Sequence, residues 1–335
     1  MNQKTNSPEQ QMMQFILGKW ISKPIYVATK LGIPDILGEE DKSIKDLAEL
    51  TDTSASTLYR MMRALAGVGI FSELKNRIFK NTPLSECLMK DRLKPAILMF
   101  QSSWHGSIWG NLLYSIKTGK PAFEKVFGEP AFEWFAKNPE EATIFHEANS
   151  FKAASSHRVI TEVYDFSDIK TLTDVGGGLG GLMIEILNVN SHIKGMVAEL
   201  PQVVPQLNEI IKEHKLEGRM SAVKCDFFKK IPSSSDAYLF SHILHDWPDD
   251  KCITILKNCR KAIPAYGKLL IVEGIIPPGN EFSISKLLDL EVLLMGGGCE
   301  RTEDEFRSLL NKSGFNLSQV IRTEESISII EGVPE

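Results

Sequence analysis

The sequence predicts an α/β protein in two parts: a mostly helical winged-helix domain, then a doubly wound, mostly parallel sheet that ends in an antiparallel hairpin. Three observations carry the prediction. The first 80 residues run helix, turn, helix, hairpin. From residue 170 onward, short apolar runs alternate with helical stretches, the pattern of a sheet covered by helices. Between the first of those runs and its helix lies a glycine-rich loop, Asp174-Val175-Gly176-Gly177-Gly178-Leu179-Gly180-Gly181.

Size and composition agree. The chain has 335 residues, 43% hydrophobic, enough for two domains with a core in each. Its charges nearly balance, 38 Lys/Arg against 43 Asp/Glu for a net of −5, whereas disordered chains are less apolar and less balanced. No apolar run approaches the roughly 18–20 residues that span a bilayer. Met1 to Pro8 carries no apolar signal core, so export and membrane association are not expected. Five cysteines, odd in number and without a C-x-x-C pair, argue against a disulfide framework or zinc ribbon and fit a reducing cytoplasm.

Along the chain, Phe15, Ile16, Trp20, Ile25, Val27, Ala28 and Leu31 give helical spacing over residues 12–37, interrupted by Gly32 and Pro34. Ser43, three residues before Asp46, predicts an N-cap box. After Thr51-Asp52-Thr53-Ser54, Leu58, Met62 and Leu65 mark a second helix at i, i+4, i+7. Residues 70–74 and Ile78-Phe79 read as a hairpin. Taken literally, this order is a DNA-binding regulator, whose second helix should offer basic side chains to phosphates. It offers only Arg60 and Arg63, and residues 1–110 hold 14 Lys/Arg against 11 Asp/Glu. A winged helix used for dimerisation, with no nucleic-acid partner, is the better reading. From 99 to 135 nine aromatics cluster, Trp104 among them. Singly such residues are core; together they are compatible with the wall of an aromatic-substrate pocket. The chain thus divides into a dimerisation domain (1–100), a helical connector (101–160) and the α/β domain (161–335).

In the α/β part, strands are predicted at 171–175, 195–200, 237–241, 268–272, 317–321 and 326–331, with helices at 182–187, 203–214, 249–262 and 303–313. The glycines of the loop permit positive φ and a close backbone approach to a ligand where a helix begins. Two ligands compete for it. Gly176, Gly178 and Gly181 satisfy G-x-G-x-x-G, with Glu199 18 residues further on, which is a dinucleotide fingerprint. S-adenosylmethionine is the other, with Asp174 as the acid before the glycines. Residues downstream favour it: Glu199 can hold ribose hydroxyls, Asp226 can accept from the adenine amine, and Phe227 can cover the ring. A sulfonium carries no pyrophosphate, so no nearby Arg or Lys is required.

Ser241-His242-Ile243-Leu244-His245-Asp246-Trp247 follows the strand at 237–241. With Asp174 to Gly180, Glu199-Leu200-Pro201, Asp226-Phe227-Phe228, Glu273 and Gly298-Cys299-Glu300-Arg301-Thr302, it resembles the metal-independent small-molecule O-methyltransferases, such as the caffeate, acetylserotonin and bacterial polyketide and phenazine enzymes. The resemblance covers nearly the whole chain and implies a Rossmann-like class I methyltransferase fold behind a winged-helix dimerisation domain. Methylating a weakly nucleophilic hydroxyl calls for a base of near-neutral pKa, and His245 fits. By resemblance Glu273 and Glu300 flank and orient it. Glu273 stands in the apolar run Leu269 to Gly274, where an unpaired carboxylate would be costly. His242 reads as an ordinary polar residue off the face of His245. Asp246 and Trp247 read as a helix cap and a packing residue.

The resemblance implies cofactor contacts at Asp174, Gly176, Gly178, Glu199, Leu200, Asp226, Phe227 and Ser241, and acceptor contacts at Trp104, Phe145, Asn149, Asp246 and Met295. Ser241 stands where many relatives carry Lys or Arg, which weakens that contact. Asn149 stands where Met is usual, which hints at a more polar acceptor. The expected function is methyl transfer from S-adenosylmethionine to a hydroxyl of a small aromatic metabolite, without a metal, by a cytoplasmic homodimer. The rivals are methylation of nitrogen or sulfur or non-methylating sulfonium chemistry on the same scaffold, a nicotinamide dehydrogenase, and a ligand-sensing transcriptional regulator.

Overall fold

The structure, a computed structural model, describes residues 7–233, 235–324 and 326–335, without the side chains of 150 and 152–155. The leader at 1–6 lies outside the described residues. Two compact units emerge, 1–107 with 138–151, and 108–137 with 152–335. The stretch 101–160 is therefore shared between them.

In the first unit, Ser7 opens helix α1 (Pro8–Lys30) with a capping box to Gln10 and Pro8 in the first turn. Gly32, at φ +68°, breaks the chain before α2 (Ile33–Leu37), as the Gly/Pro pair predicted. Strand β1 (Lys42–Ser43) leads into α3 (Ile44–Leu50), where Ser43 and Asp46 form the expected reciprocal cap. Helix α4 (Ala55–Gly67) buries Leu58, Met62 and Leu65. The hairpin β2 (Phe71–Leu74) and β3 (Ile78–Asn81) turns through Asn76 and Arg77, both at positive φ, and β1 pairs with β3. Short helices follow: α5 (Pro83–Glu86), α6 (Lys94–Phe100) and α7 (Ser103–Trp109). The second unit takes in α8 (Leu112–Thr118), α9 (Ala122–Phe127) and α10 (Ala131–Lys137). Helix α11 (Pro139–Val163) begins in the first unit and ends in the second.

The second unit then alternates strand and helix, with β6 and α15 in addition to the expected ranges: β4 (Thr171–Val175), α12 (Gly181–Val189), β5 (Lys194–Glu199), α13 (Val204–Glu213), β6 (Met220–Lys224), β7 (Ala237–Ser241), α14 (Asp249–Ala262), β8 (Lys268–Glu273), α15 (Ser285–Gly296), α16 (Glu303–Asn311), β9 (Phe315–Arg322) and β10 (Ser328–Pro334). The sheet order is β6-β5-β4-β7-β8-β10-β9, with the first five strands parallel and β10 antiparallel to both neighbours. Alternate residues divide between two cores: Leu239, Leu270 and Val272 face one, Tyr238, Phe240, Leu269 and Ile271 the other. Strand order reverses between β4 and β7, so the loops after them diverge and leave a crevice at their carboxyl ends, where such sheets bind ligands. Among the described residues no helix is long and apolar enough to cross a membrane.

Candidate active site

The loop after β4 turns on glycines that no other residue could replace cheaply. Gly176 sits at φ +75°, and a Cβ there would lie 2.6 Å from Ile243 Cδ1. The Gly178 N–H donates to Glu199 Oε2 at 3.1 Å and the Leu200 N–H to Glu199 Oε1 at 2.7 Å, so the loop itself braces the carboxylate at the end of β5. Asp174 is buried at the end of β4, and its Oδ1 has no hydrogen-bond partner among the described residues. Burial, and then the charge of Glu199, push its carboxyl up to about 7.

Beyond β6, Asp226 accepts from the Phe228 N–H at 3.1 Å and pairs with Lys229 at 2.8 Å. Asn258 of α14, a residue the sequence did not mark, donates to the carbonyls of Phe227 (3.0 Å) and Phe228 (2.9 Å). Trp247 packs edge-on to Phe228, ring centroids 4.8 Å apart, in the packing role expected of it. Ser241 ends β7 half-buried. Asp174, Glu199 and Asp226 thus follow the ends of β4, β5 and β6, and Lys229 is already paired with Asp226. This acidic set with an orphaned buried carboxylate oxygen suits a cationic adenosine derivative. A pyrophosphate would meet like charge there.

On the other side of the crevice, β7 is followed by His242, whose φ of +54° turns the chain into a short 3-10 turn at Leu244–Asp246. Glu273, fully buried at the end of β8, accepts the N–H groups of Ile243 (3.2 Å), Leu244 (2.6 Å) and His245 (3.1 Å) through Oε1. Its partner is therefore the backbone that carries His245, while Glu300 hydrogen-bonds the ring, with Oε1 2.9 Å from Nδ1. The Glu300 N–H in turn donates to Asp289 Oδ1 at 2.9 Å. Burial opposes charge on His245, but the hydrogen bond to Glu300 and the charges of Asp246, Glu273 and Glu300 outweigh it and raise the imidazole to about 9. Burial also lifts Glu273 to about 7, against the pull of His245 and Arg301.

The sequence assigns Arg301 no role of its own. It is buried, and its guanidinium donates to the carbonyls of Leu244 (3.0 Å) and Trp247 (2.9 Å) while pairing with Asp249 at 2.9 Å. Gly298 lies so close to the turn that a Cβ would fall 2.0 Å from the His245 carbonyl oxygen, to which the Cys299 N–H donates at 2.9 Å.

Two expectations need correction. Asp246 is no helix cap: α14 starts after Pro248 without a side-chain cap bond, and Asp246 Oδ1 lies instead 3.6 Å from His245 Nε2. His242 is not turned away either, since its ring centroid is 5.4 Å from that of His245. Met295 sits half-buried in the last turn of α15, just before Gly296, whose Cβ would approach the Asp246 carbonyl at 3.8 Å. Trp104, Phe145 and Asn149 belong to the first unit, where the Trp104 and Phe145 rings meet edge-on at 6.4 Å. Trp109 of the second unit, unmarked by sequence reading except as one of many aromatics, donates to Glu291 at 2.6 Å.

Comparison with known proteins accounts for both parts of the chain. A family model described as an O-methyltransferase domain matches residues 109–316, and one described as an O-methyltransferase dimerisation domain matches 13–91. A phenazine O-methyltransferase of Lysobacter antibioticus is 38% identical over 326 residues, 96% of this chain and 95% of that protein. The structure of a mitomycin 7-O-methyltransferase superposes with a TM-score of 0.91 at 30% identity, covering 98% of each chain. A methyltransferase of calicheamicin biosynthesis, solved with S-adenosylhomocysteine bound, gives 0.84 at 27% identity, covering 99% of this chain and all of that one.

Proposed function

The chain belongs to the O-methyltransferase family that uses S-adenosylmethionine, and from that membership we propose that it methylates a hydroxyl of a small aromatic metabolite with His245 as general base. The observation that carries the reading is the 2.9 Å contact between Glu300 and His245 Nδ1. A carboxylate there holds the Nδ1 proton and leaves the Nε2 lone pair for the hydroxyl proton.

S-adenosylmethionine, when bound, would supply an electrophilic methyl group, its S–CH3 bond breaking to leave S-adenosylhomocysteine. Glu199 would hold its ribose hydroxyls, Phe227 would cover the adenine and Asp226 would accept from its amine. Gly176, Gly178 and Leu200 contribute backbone, and Asp174 and Ser241 close the loop side. As the acceptor oxygen attacks, Nε2 of His245 takes its proton. Glu300 then stabilises the imidazolium, as an orienting carboxylate does in a hydrolase triad. Glu273 holds the turn through three N–H groups and Arg301 through two carbonyls, so both are positioning residues for the base. Asp246 and Met295 are acceptor contacts beside the turn. We also infer a cytoplasmic setting, supported by five cysteines that are all unpaired.

The test is His245→Ala. Turnover should fall by roughly 10²–10⁴-fold while S-adenosylhomocysteine affinity stays near wild type. Near wild-type turnover with the cofactor product still bound would remove His245 from the chemistry.

A further inference from the structure

Helix α15 holds a carboxylate, Asp289, that none of the roles above uses. An orienting group serves only if it is itself fixed, and the side chain of Glu300 does little to fix its own place. Its Oε1 meets the ring it is to orient, and its Oε2 has no hydrogen-bond partner among the described residues. The backbone before it is not stiff either. Gly296-Gly297-Gly298 lead out of α15, with Gly297 at φ +77°, and glycines leave a chain more conformations than any other residue. Bonds on the neighbours of Glu300 help only in part. The Cys299 N–H donates to the His245 carbonyl and so moves with the turn, while the Arg301 carbonyl accepts from the Ile276 N–H at 2.9 Å.

The bond on the Glu300 backbone itself comes from Asp289. This residue lies about two turns before the end of α15, and the chain beyond the helix folds back until the Glu300 N–H meets its Oδ1 at 2.9 Å. A carboxylate makes that hydrogen bond a strong one, and Glu300 is buried, so its N–H depends on the acceptor. Burial holds the Asp289 carboxyl above the ordinary aspartate range; the charges of Glu300 and Glu305 add to this, and the Glu300 N–H and Arg301 oppose it. We propose that Asp289 is a positioning residue, which ties the backbone of Glu300 to α15 and so aims its carboxylate at Nδ1 of His245. The assignment rests on the reading above that Glu300 orients the base.

NMR titration of the His245 ring nitrogens in the cofactor-free protein tests this without any acceptor. Against burial, the bond to Glu300 and the charges of Asp246, Glu273 and Glu300 hold the wild-type ring at about 9, with the His242 ring beside it. Once neutral, that ring should carry its proton on Nδ1. Asp289→Ala should lower the inflection by at least about one pH unit, a tenfold loss of proton affinity, and mix the two tautomers. Asp289→Asn keeps Oδ1 and should titrate as wild type does. Asp289→Glu keeps the charge but displaces the acceptor by a methylene, and should shift the ring in the same direction as Ala. S-adenosylhomocysteine should bind all three variants as it binds wild type, which reports an intact fold; if Ala fails that check, the contrast between Asn and Glu decides. An unmoved ring in the Glu variant, or an Asn variant whose inflection falls, overturns the role of Asp289. Glu300→Gln tests the underlying reading separately. An unmoved ring there removes Glu300 as the orienting group and the proposal with it, whereas a ring moved by Glu300→Gln but not by Asp289→Ala or Asp289→Glu overturns the proposal alone.

Discussion

His245 shows how far a single residue's surroundings can move its chemistry. With a pKa of about 9, its imidazole is protonated at neutral pH in the cofactor-free protein, yet a base must be neutral to accept a proton. The rate constant kcat/KM, which reports free enzyme, should therefore rise with pH and level off above about 9. Glu300→Gln removes the ring's direct carboxylate partner, so the inflection should fall toward the roughly 6.5 of an unperturbed histidine. NMR titration of the His245 ring in both proteins provides the check, and an unmoved inflection would contradict the account. Asp174 gives a stability prediction of its own. Its folded-state pKa of about 7 lies above the roughly 3.9 of a free aspartate. The folded chain thus binds that proton more tightly. The resulting stabilisation is complete below about pH 4 and is lost as pH rises through 7. Asp174→Asn should flatten the fall of Tm between about pH 5 and pH 8 in the cofactor-free protein, as followed by scanning calorimetry. Sequence alone could say that Glu273 in its apolar strand needs a partner. It could not say that the partner is backbone, because that depends on the positive φ of His242, which a non-glycine residue does not advertise.

At the scale of elements, the turn at Leu244–Asp246 is held by groups that come from far along the chain. Glu273 supplies acceptors from below, and Arg301 and Cys299 supply donors from the segment after α15. Arg301→Leu would leave the Leu244 and Trp247 carbonyls without that donor, at about 1–3 kcal/mol for each buried group. The expected result is a lower Tm and a kcat reduced at least about tenfold, with S-adenosylhomocysteine affinity little changed because the loop after β4 makes none of these bonds. Gly298→Ala should act in the same direction, since its Cβ would meet backbone rather than a side chain that can move aside. Thermal melts beside binding isotherms decide both cases; a variant with normal kcat would mean that the turn keeps its shape without these contacts. Most of the strands and helices of the second unit were legible from periodicity, with ends displaced by a few residues, as in β10 at Ser328–Pro334 against the expected 326–331, whereas β6 and α15 lie outside the expected ranges. What periodicity cannot show is which loops meet. Arg301 looks like any charged residue before a helix until the fold brings Asp249 and two carbonyls to it.

For the whole molecule, the net charge of −5 divides unevenly, with residues 1–110 at +3 and the acidic excess in the remainder. The carboxylates that line the crevice belong to that excess, whereas residues 13–91, which match the dimerisation family model, are nearly balanced at 11 Lys/Arg against 10 Asp/Glu. Helix α1 gives that match a physical basis. Met12, Ile16 and Trp20 repeat at i, i+4, i+8, beside Phe15, and all four are exposed, Phe15 by 82% and Trp20 by 68%. Two large aromatics left in water at that level form a contiguous apolar face, of the kind a partner surface covers. We expect a homodimer that uses this face. Replacing Phe15 and Trp20 together by Glu places two charges on it without touching the buried residues of the first unit. Light scattering coupled to gel filtration should then show wild type at twice the mass of the 37.5 kDa chain and the double variant at the chain mass. S-adenosylhomocysteine affinity should be preserved in the variant, because the proposed cofactor contacts all lie between Asp174 and Ser241. A wild type that runs as a monomer at micromolar concentration, or a double variant that remains dimeric, would take this face out of the assembly.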